Sequence, residues 1–358
     1  MIKIAEFLPP YPTRLWQLVG QAGATHAVGM LPYDPQPGAL DAERNAPRSW
    51  GVNHGVVNRA EVARLPNGAY PWEYESLRDM QARFAAAGLE LGVIESSPPM
   101  ENVRLGLPAR DEEIELICTM LRAMGHLGIP VWCYNFLAVA SWGRTSMTTP
   151  ARGGALVTAF DLANLPPLTL PSGLELTHER LWDNLRYFLE RVLPVAEEVG
   201  VKLAVHPDDP PLPWVGPLPR ILTSVEAFER MLDMCPSPAN GITFCQGNFG
   251  LMPQPLPELI REWGSRGKIF FVHFRNVRGS ADRFEETFPD DGQTDMLACL
   301  RAYQTIGFEG LLRPDHVPTL AGESNDSPGY ETLGRLYALG YVRGLCEAVY
   351  GSPGHNYS

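Results

Sequence analysis

Short apolar runs alternate with longer amphipathic stretches along almost the whole chain, and this alternation narrows the possible folds more than any other feature. Strand-like runs lie at 2–8, 25–31, 89–95, 130–136, 201–206, 241–245, 269–273 and 309–313. Stretches with helical spacing lie at 14–22, 73–87, 110–124, 178–200, 225–234, 257–263, 294–306 and 330–350. In the stretch at 110–124, Ile114, Ile117, Leu121 and Met124 recur on one helical face. Regular strand–helix alternation implies a parallel sheet, and eight such units predict a closed (β/α)8 TIM barrel, one domain over residues 1–358. An open doubly wound sheet is the rival. It is disfavoured because no glycine-rich dinucleotide fingerprint follows any early strand. Two irregular insertions, at about 32–72 and 137–178, fall on connections from strand to helix, the face where barrel enzymes build their sites.

Composition excludes several classes of partner. The 358 residues are 45% hydrophobic and 20% charged, enough for a large core without extensive disorder. A net charge of -12 argues against nucleic acid and against an anionic membrane surface. The six cysteines have no CxxC pair and no regular spacing, which reads as reduced thiols in the cytoplasm. The first residues lack the features of a signal peptide, and no apolar run reaches the about 18 residues of a membrane span.

The ends of the last four strands carry chemistry. His206 ends the fifth, Cys245 the sixth and Asp315 follows the eighth, while His273 lies near the end of the seventh. Any one of these residues alone reads as a packed or capping residue. At the same end of four consecutive strands they form a divalent-metal ligand set of two imidazoles, a thiolate and a carboxylate. Zinc binds such a set well, whereas manganese or iron better suits a site that keeps positions open for substrate oxygens. Asp208 and Asp209 are either partners behind this set or a solvated turn. Around it the same lip is expected to carry Arg275, Asn276, Asn248, Arg313, His316, Tyr330 and Arg144. The arginines suit a substrate carboxylate, or else salt bridges to the acidic loop 285–291.

Several segments, in order, resemble the D-mannonate dehydratase family: LGLPARDEEI (105–114), CYNFLAVASWGRT (133–145), KLAVHPDDPPLP (202–213), FCQGNFG (244–250), VHFRNVRG (272–279), FEETFPDDGQTDM (284–296), RPDH (313–316) and PGYETLGRLYALGYVRGL (328–345). The resemblance implies a xylose isomerase-like TIM barrel with Mn or Fe(II), rather than zinc, on His206, Cys245, His273 and Asp315. It also implies acid–base work by Asp315, His316 and Tyr330. The chain departs from the family pattern in the region 30–42, at Ser141, where the family has Asp, and at Val317, where it has Gly. The implied reaction is removal of water from a sugar acid through an enediolate, with Arg275, Asn276, Asn248, Arg144 and Arg313 binding substrate. An isomerase or epimerase acting on a related sugar acid would use the same intermediate. A metal-dependent hydrolase and a non-catalytic binding module are the other readings. Barrels of this size often pair through their helices, so a homo-oligomer is expected by analogy.

Overall fold

Eight short strands, β1 (Lys3–Leu8), β2 (His26–Gly29), β3 (Glu90–Ile94), β4 (Val131–Tyr134), β5 (Lys202–Val205), β6 (Asn240–Cys245), β7 (Ile269–Phe274) and β8 (Leu311–Pro314), pair in parallel and close into a ring. The computed structural model describes residues 2–33, 62–170 and 172–351. Helices follow the strands in turn: α1 (Arg14–Gln21), α2 (Tyr74–Ala86), α3 (Arg110–Leu127), α4 (His178–Val199), α5 (Val225–Met234), α6 (Leu256–Ser265), α7 (Met296–Thr305) and α8 (Thr332–Tyr350). Local chemistry sets their ends. Thr177, Ser224 and Asp295 cap α4, α5 and α7 through side-chain oxygens, and Gly128 and Gly200 take left-handed backbone at the C-terminal ends of α3 and α4.

Strand residues alternate between two apolar layers. Ala5, Phe7, Val28, Val93, Val131, Ala204, Phe271 and Leu311 fill the barrel interior. The opposite faces pack against the helices in the larger core, around Trp132, Phe188, Phe244 and Trp263. A period of two therefore decides which residues at the strand ends turn inward.

The two insertions fare differently. Residues 34–61, most of the first, lie outside the described residues. The second is not wholly irregular, as the sequence suggested. Its Ser146–Pro150 and Leu156–Asp161 are strands of a four-stranded antiparallel sheet. The other two strands, Val277–Ser280 and Arg283–Glu286, come from the connection after β7, where the sequence suggested only an acidic loop. Leu156 also exchanges backbone hydrogen bonds with Thr319, at 3.0 and 2.8 Å, so the connections after β4, β7 and β8 are tied together. Among the described residues, no helix is long and apolar enough to cross a membrane.

One carboxylate lies outside this logic. Glu6 of β1 is 2% exposed, with Arg335 of α8 at 3.6 Å and the Phe7 amide donating to it at 2.9 Å. Burial pushes its carboxyl up from 4.5 to about 7, against the opposing pull of Arg335 and Arg313. A carboxyl raised on folding favours the native state fully below its unfolded value, and that contribution is lost as pH rises through the folded one. Glu6→Gln should therefore match the parent near pH 5 and exceed its stability near pH 8 by on the order of 2 kcal/mol in urea titrations. An equal gap at both pH values would show that Glu6 does not ionise at a cost in the fold.

Candidate active site

The inward row of each strand, continued past its end, delivers the expected ligands to one place. His206 follows Ala204, Cys245 follows Thr243, His273 follows Phe271, and Asp315 lies beyond Leu311 and Arg313 on the same parity. Cys245 and His273 are register partners, as are His273 and Arg313. One ligand atom from each of His206, Cys245, His273 and Asp315 lies within 4.8 Å of the other three.

The chemistry of these donors fits a divalent cation. His206 Nδ1 lies 2.7 Å from the Pro207 carbonyl, which only accepts, so Nδ1 carries the proton and Nε2 keeps its lone pair for a ligand. His273 is 2% exposed, yet neither ring nitrogen makes a hydrogen bond; Glu95 Oε1 and Asp315 Oδ2 lie 3.3 and 3.5 Å away. A buried imidazole whose nitrogens face carboxylates without hydrogen-bonding them has a reason to be there if a metal takes one of them. Burial works against ionising Cys245, but Arg275 and His206 beside it hold the thiol well below its usual range, as a thiolate ligand needs.

Arg275 organises the anions. It is 2% exposed, and every donor atom is engaged. Its Nε reaches Cys245 Sγ at 3.3 Å and Asp315 Oδ2 at 3.0 Å. Nη2 donates to Asp209 Oδ2 at 2.9 Å and Asn248 Oδ1 at 2.6 Å, and Nη1 donates to Glu286. Gly247 leaves room for this guanidinium, since a Cβ there would sit 2.5 Å from Nε. Arg144 forks across both oxygens of Asp209 at 2.8 and 3.0 Å and donates to Glu286 at 2.6 Å. Arg313 holds both oxygens of Glu95 at 2.7 and 3.0 Å and meets Asp315 Oδ1 at 2.9 Å. Burial disfavours charge on Asp209, yet Arg144 and Arg275 hold it well below the usual carboxylate range. Against burial, Arg313 and His273 likewise draw Glu95 down to about 2.

His316 stands above this network between two rings, 4.8 Å from Trp142 and 5.3 Å from Tyr330. The Tyr330 hydroxyl donates to Asp315 Oδ1 at 3.4 Å. Removal from water and the Asp315 carboxylate push that phenol well above its usual range, so it stays protonated. Trp142 arrives on a tight three-residue turn in which Ala140 N donates to the Ala138 carbonyl at 2.8 Å and Val139 has φ 69°. Left-handed backbone at a β-branched residue costs on the order of 1–3 kcal/mol and persists only where surroundings enforce it. Here Arg220 donates to the carbonyls of Ala138 and Ala140 at 2.8 and 2.7 Å, and Glu101 accepts from the Val139 amide at 2.7 Å.

Known proteins resemble this chain over most of its length. The sequence profile described as D-mannonate dehydratase (UxuA) matches residues 48–170 and 169–353. The mannonate dehydratase of Thermotoga maritima is 36% identical over 349 residues, covering 84% of this chain and 96% of that protein. The chain belongs to the D-mannonate dehydratase family. The crystal structure of mannonate dehydratase from Streptococcus suis serotype 2 superposes with a TM-score of 0.81 at 33% identity, covering 97% of this chain and 93% of that one. A xylose isomerase domain protein from Planctomyces limnophilus, at 13% identity and TM-score 0.57 over 98% of this chain and 99% of that one, shares the fold alone.

Within this dehydratase framework, some expected substrate contacts take other roles. Asn276 does not reach toward substrate. Its amide nitrogen donates to the carbonyls of Pro289 and Thr294 at 3.1 and 3.0 Å, and its oxygen accepts from the amides of Val277 and Thr294 at 3.0 Å each. Asn248 is fully buried, donating to the Asp208 carbonyl at 3.2 Å and accepting from Arg275. Arg144, Arg275 and Arg313 are matched by protein carboxylates, so they organise the site instead of offering a free clamp. Of the adjacent acids, Asp209 joins the network while Asp208 accepts from the amides of Ile221 and Leu222 at 2.8 and 3.0 Å. Glu286 and Trp142 were not singled out from sequence: one sits among four acidic residues, the other in a segment unlike the family pattern.

Asn276→Ala should lower stability by on the order of 2 kcal/mol or more, since it removes four side-chain hydrogen bonds, three of them to Pro289 and Thr294. Denaturant titration checks this, and an unchanged midpoint would show that those bonds contribute nothing.

Proposed function

We propose that the chain is a metal-dependent hydro-lyase that removes water from D-mannonate to give 2-keto-3-deoxy-D-gluconate, a step of hexuronate catabolism. The observation that supports this most is the placement of two imidazoles, a thiolate and a carboxylate within 4.8 Å of one another, beside His316 and Tyr330. His206 Nε2, Cys245 Sγ, His273 and Asp315 would hold the ion, Mn²⁺ or Fe²⁺ in preference to zinc. Linked by the contacts above, three guanidiniums face four carboxylates and a thiolate, so once the ligand imidazoles are neutral, as ligation requires, three positive charges against five negative leave two for a divalent cation to balance. When bound, the ion supplies Lewis-acid polarisation of substrate oxygens, which eases loss of the proton next to the carboxylate.

The chain's own residues supply the proton movements. Tyr330 stays protonated and is suited to donate to the departing hydroxyl, with Asp315 fixing its oxygen. His316 is suited to accept the proton from carbon through its Nε2, which lies 3.9 Å from Asp315 Oδ1. The Trp142 and Tyr330 rings pack against the imidazole and limit the water that reaches it. The six buried free thiols accord with a cytoplasmic location, and self-association is part of the same proposal.

Purified protein with Mn²⁺ and D-mannonate should release a 2-keto-3-deoxy acid that a colorimetric keto-acid assay detects. Chelation should abolish it, and Cys245→Ala or His206→Ala should reduce metal content and turnover together. Tyr330→Phe should retain metal and lose turnover by about 100-fold or more. Metal-loaded protein that makes no keto acid would transfer the function to another sugar acid, with the wall at 137–143 as the place to look.

A further inference from the structure

Three groups surround Nδ1 of His316: Glu286 Oε1 at 2.9 Å, Arg275 Nη1 at 3.0 Å and Arg144 Nη2 at 3.3 Å. A guanidinium nitrogen only donates and an ionised carboxylate only accepts, so these neighbours make opposite demands on Nδ1. Arg144 Nη2 has two N–H groups, and both have carboxylate partners: Asp209 Oδ2 at 3.0 Å and Glu286 Oε1 at 2.6 Å. Arg275 Nη1 directs one N–H to Glu286 as well, which leaves a single guanidinium proton able to face the ring. The contact to Glu286 is the shortest of the three, a proton on Nδ1 directed at this carboxylate makes a charge-assisted bond, and Arg275 Nη1 keeps its own bond to Glu286 in either tautomer.

We infer that Glu286 is the positioning residue for His316: it accepts the Nδ1 proton and thereby keeps the lone pair on Nε2, the edge that faces Asp315 and the Tyr330 ring. Glu286 can do this because it is held almost as rigidly as a barrel residue. It is 1% exposed, ends the strand Arg283–Glu286, and is the register partner of Val277. The Trp142 and Tyr330 rings hold the imidazole, so rotation does not readily exchange the two nitrogens. A carboxylate thus fixes an imidazole tautomer in the way an orienting acid does in a catalytic triad, although it is supplied by an inserted hairpin and not by the barrel.

The consequence for turnover rests on the reading of His316 as a proton acceptor; the tautomer itself does not. Long-range ¹H–¹⁵N correlation spectra of protein labelled at histidine nitrogens and loaded with diamagnetic Zn²⁺ test the tautomer directly, with His316→Gln identifying the resonances. The expected pattern is a protonated Nδ1 and an unprotonated Nε2, with the preference weakened in Glu286→Gln. A lone pair on Nδ1, or protons on both nitrogens at neutral pH, overturns the inference. Kinetics give the second arm. Glu286→Gln should lower kcat by about 100-fold with KM within about threefold, the pattern for a group acting in the transition state. An unchanged kcat overturns the positioning role. Should the variant fail to fold, the parent spectrum still decides. Should the parent not dehydrate mannonate, the spectrum separates that failure from this one.

Discussion

Arg275 is the interaction on which the mouth of the barrel depends. Buried without partners, a guanidinium would cost several kcal/mol; here one side chain meets a thiol, three carboxylates and an amide oxygen at once. Those partners come from four parts of the chain, Cys245 and Asn248 sharing one. The geometry of the ligand set and of the proton-transfer group is therefore tied to one side chain, and its removal would strand anions in a region with little water. Arg144 duplicates part of this work on Asp209 and Glu286, which gives the cluster rigidity as well as charge balance.

The barrel contributes direction and the insertions contribute closure. Period-two alternation sends His206, Cys245, His273, Glu95, Arg313 and Asp315 to the inward side, immediately above an apolar plug that includes Val93, Ala204, Phe271 and Leu311. What lies deeper is mostly apolar, so they pair largely with one another. The roof is made of different material: a strained turn at Val139, the Trp142 ring, and a hairpin bearing Glu286. This division resembles other barrels, where a stable frame presents chemistry that loops then complete.

How much of this was legible in the sequence follows from the same division. The strands and helices were readable because burial imposes periodicity, and the boundaries of α5 match the helical stretch read at 225–234. The convergence of His206, Cys245, His273 and Asp315 was readable because they sit at predictable strand ends. The four-stranded sheet was not, since SMTTP has no apolar face and the hairpin that completes the sheet beyond Leu156–Asp161 lies more than a hundred residues away. Glu286 was hidden for a related reason. Within Glu285, Glu286, Asp290 and Asp291, only the strand's pleat decides which carboxylate turns inward, and the strand itself was not visible. Asn276 misled because its place after His273 and Arg275 suggested a shared purpose, whereas the chain has already turned into the hairpin there.

That hairpin ties separate connections into one unit. Arg144 stands before the strand Ser146–Pro150, Glu286 ends the strand Arg283–Glu286, and Thr319 bonds to Leu156, so pieces of three βα connections form a continuous hydrogen-bonded roof. Barrel enzymes are often pictured as frames whose loops can be exchanged one by one to alter substrate choice. In this chain such an exchange would have an unintended partner: replacing the connection after β4 removes Arg144 from Glu286 and disturbs His316 on the far side of the mouth. Recombination of substrate walls here is a matter of inheriting whole roofs, and single-loop grafts would carry a foreign specificity onto an uncoupled proton-transfer group.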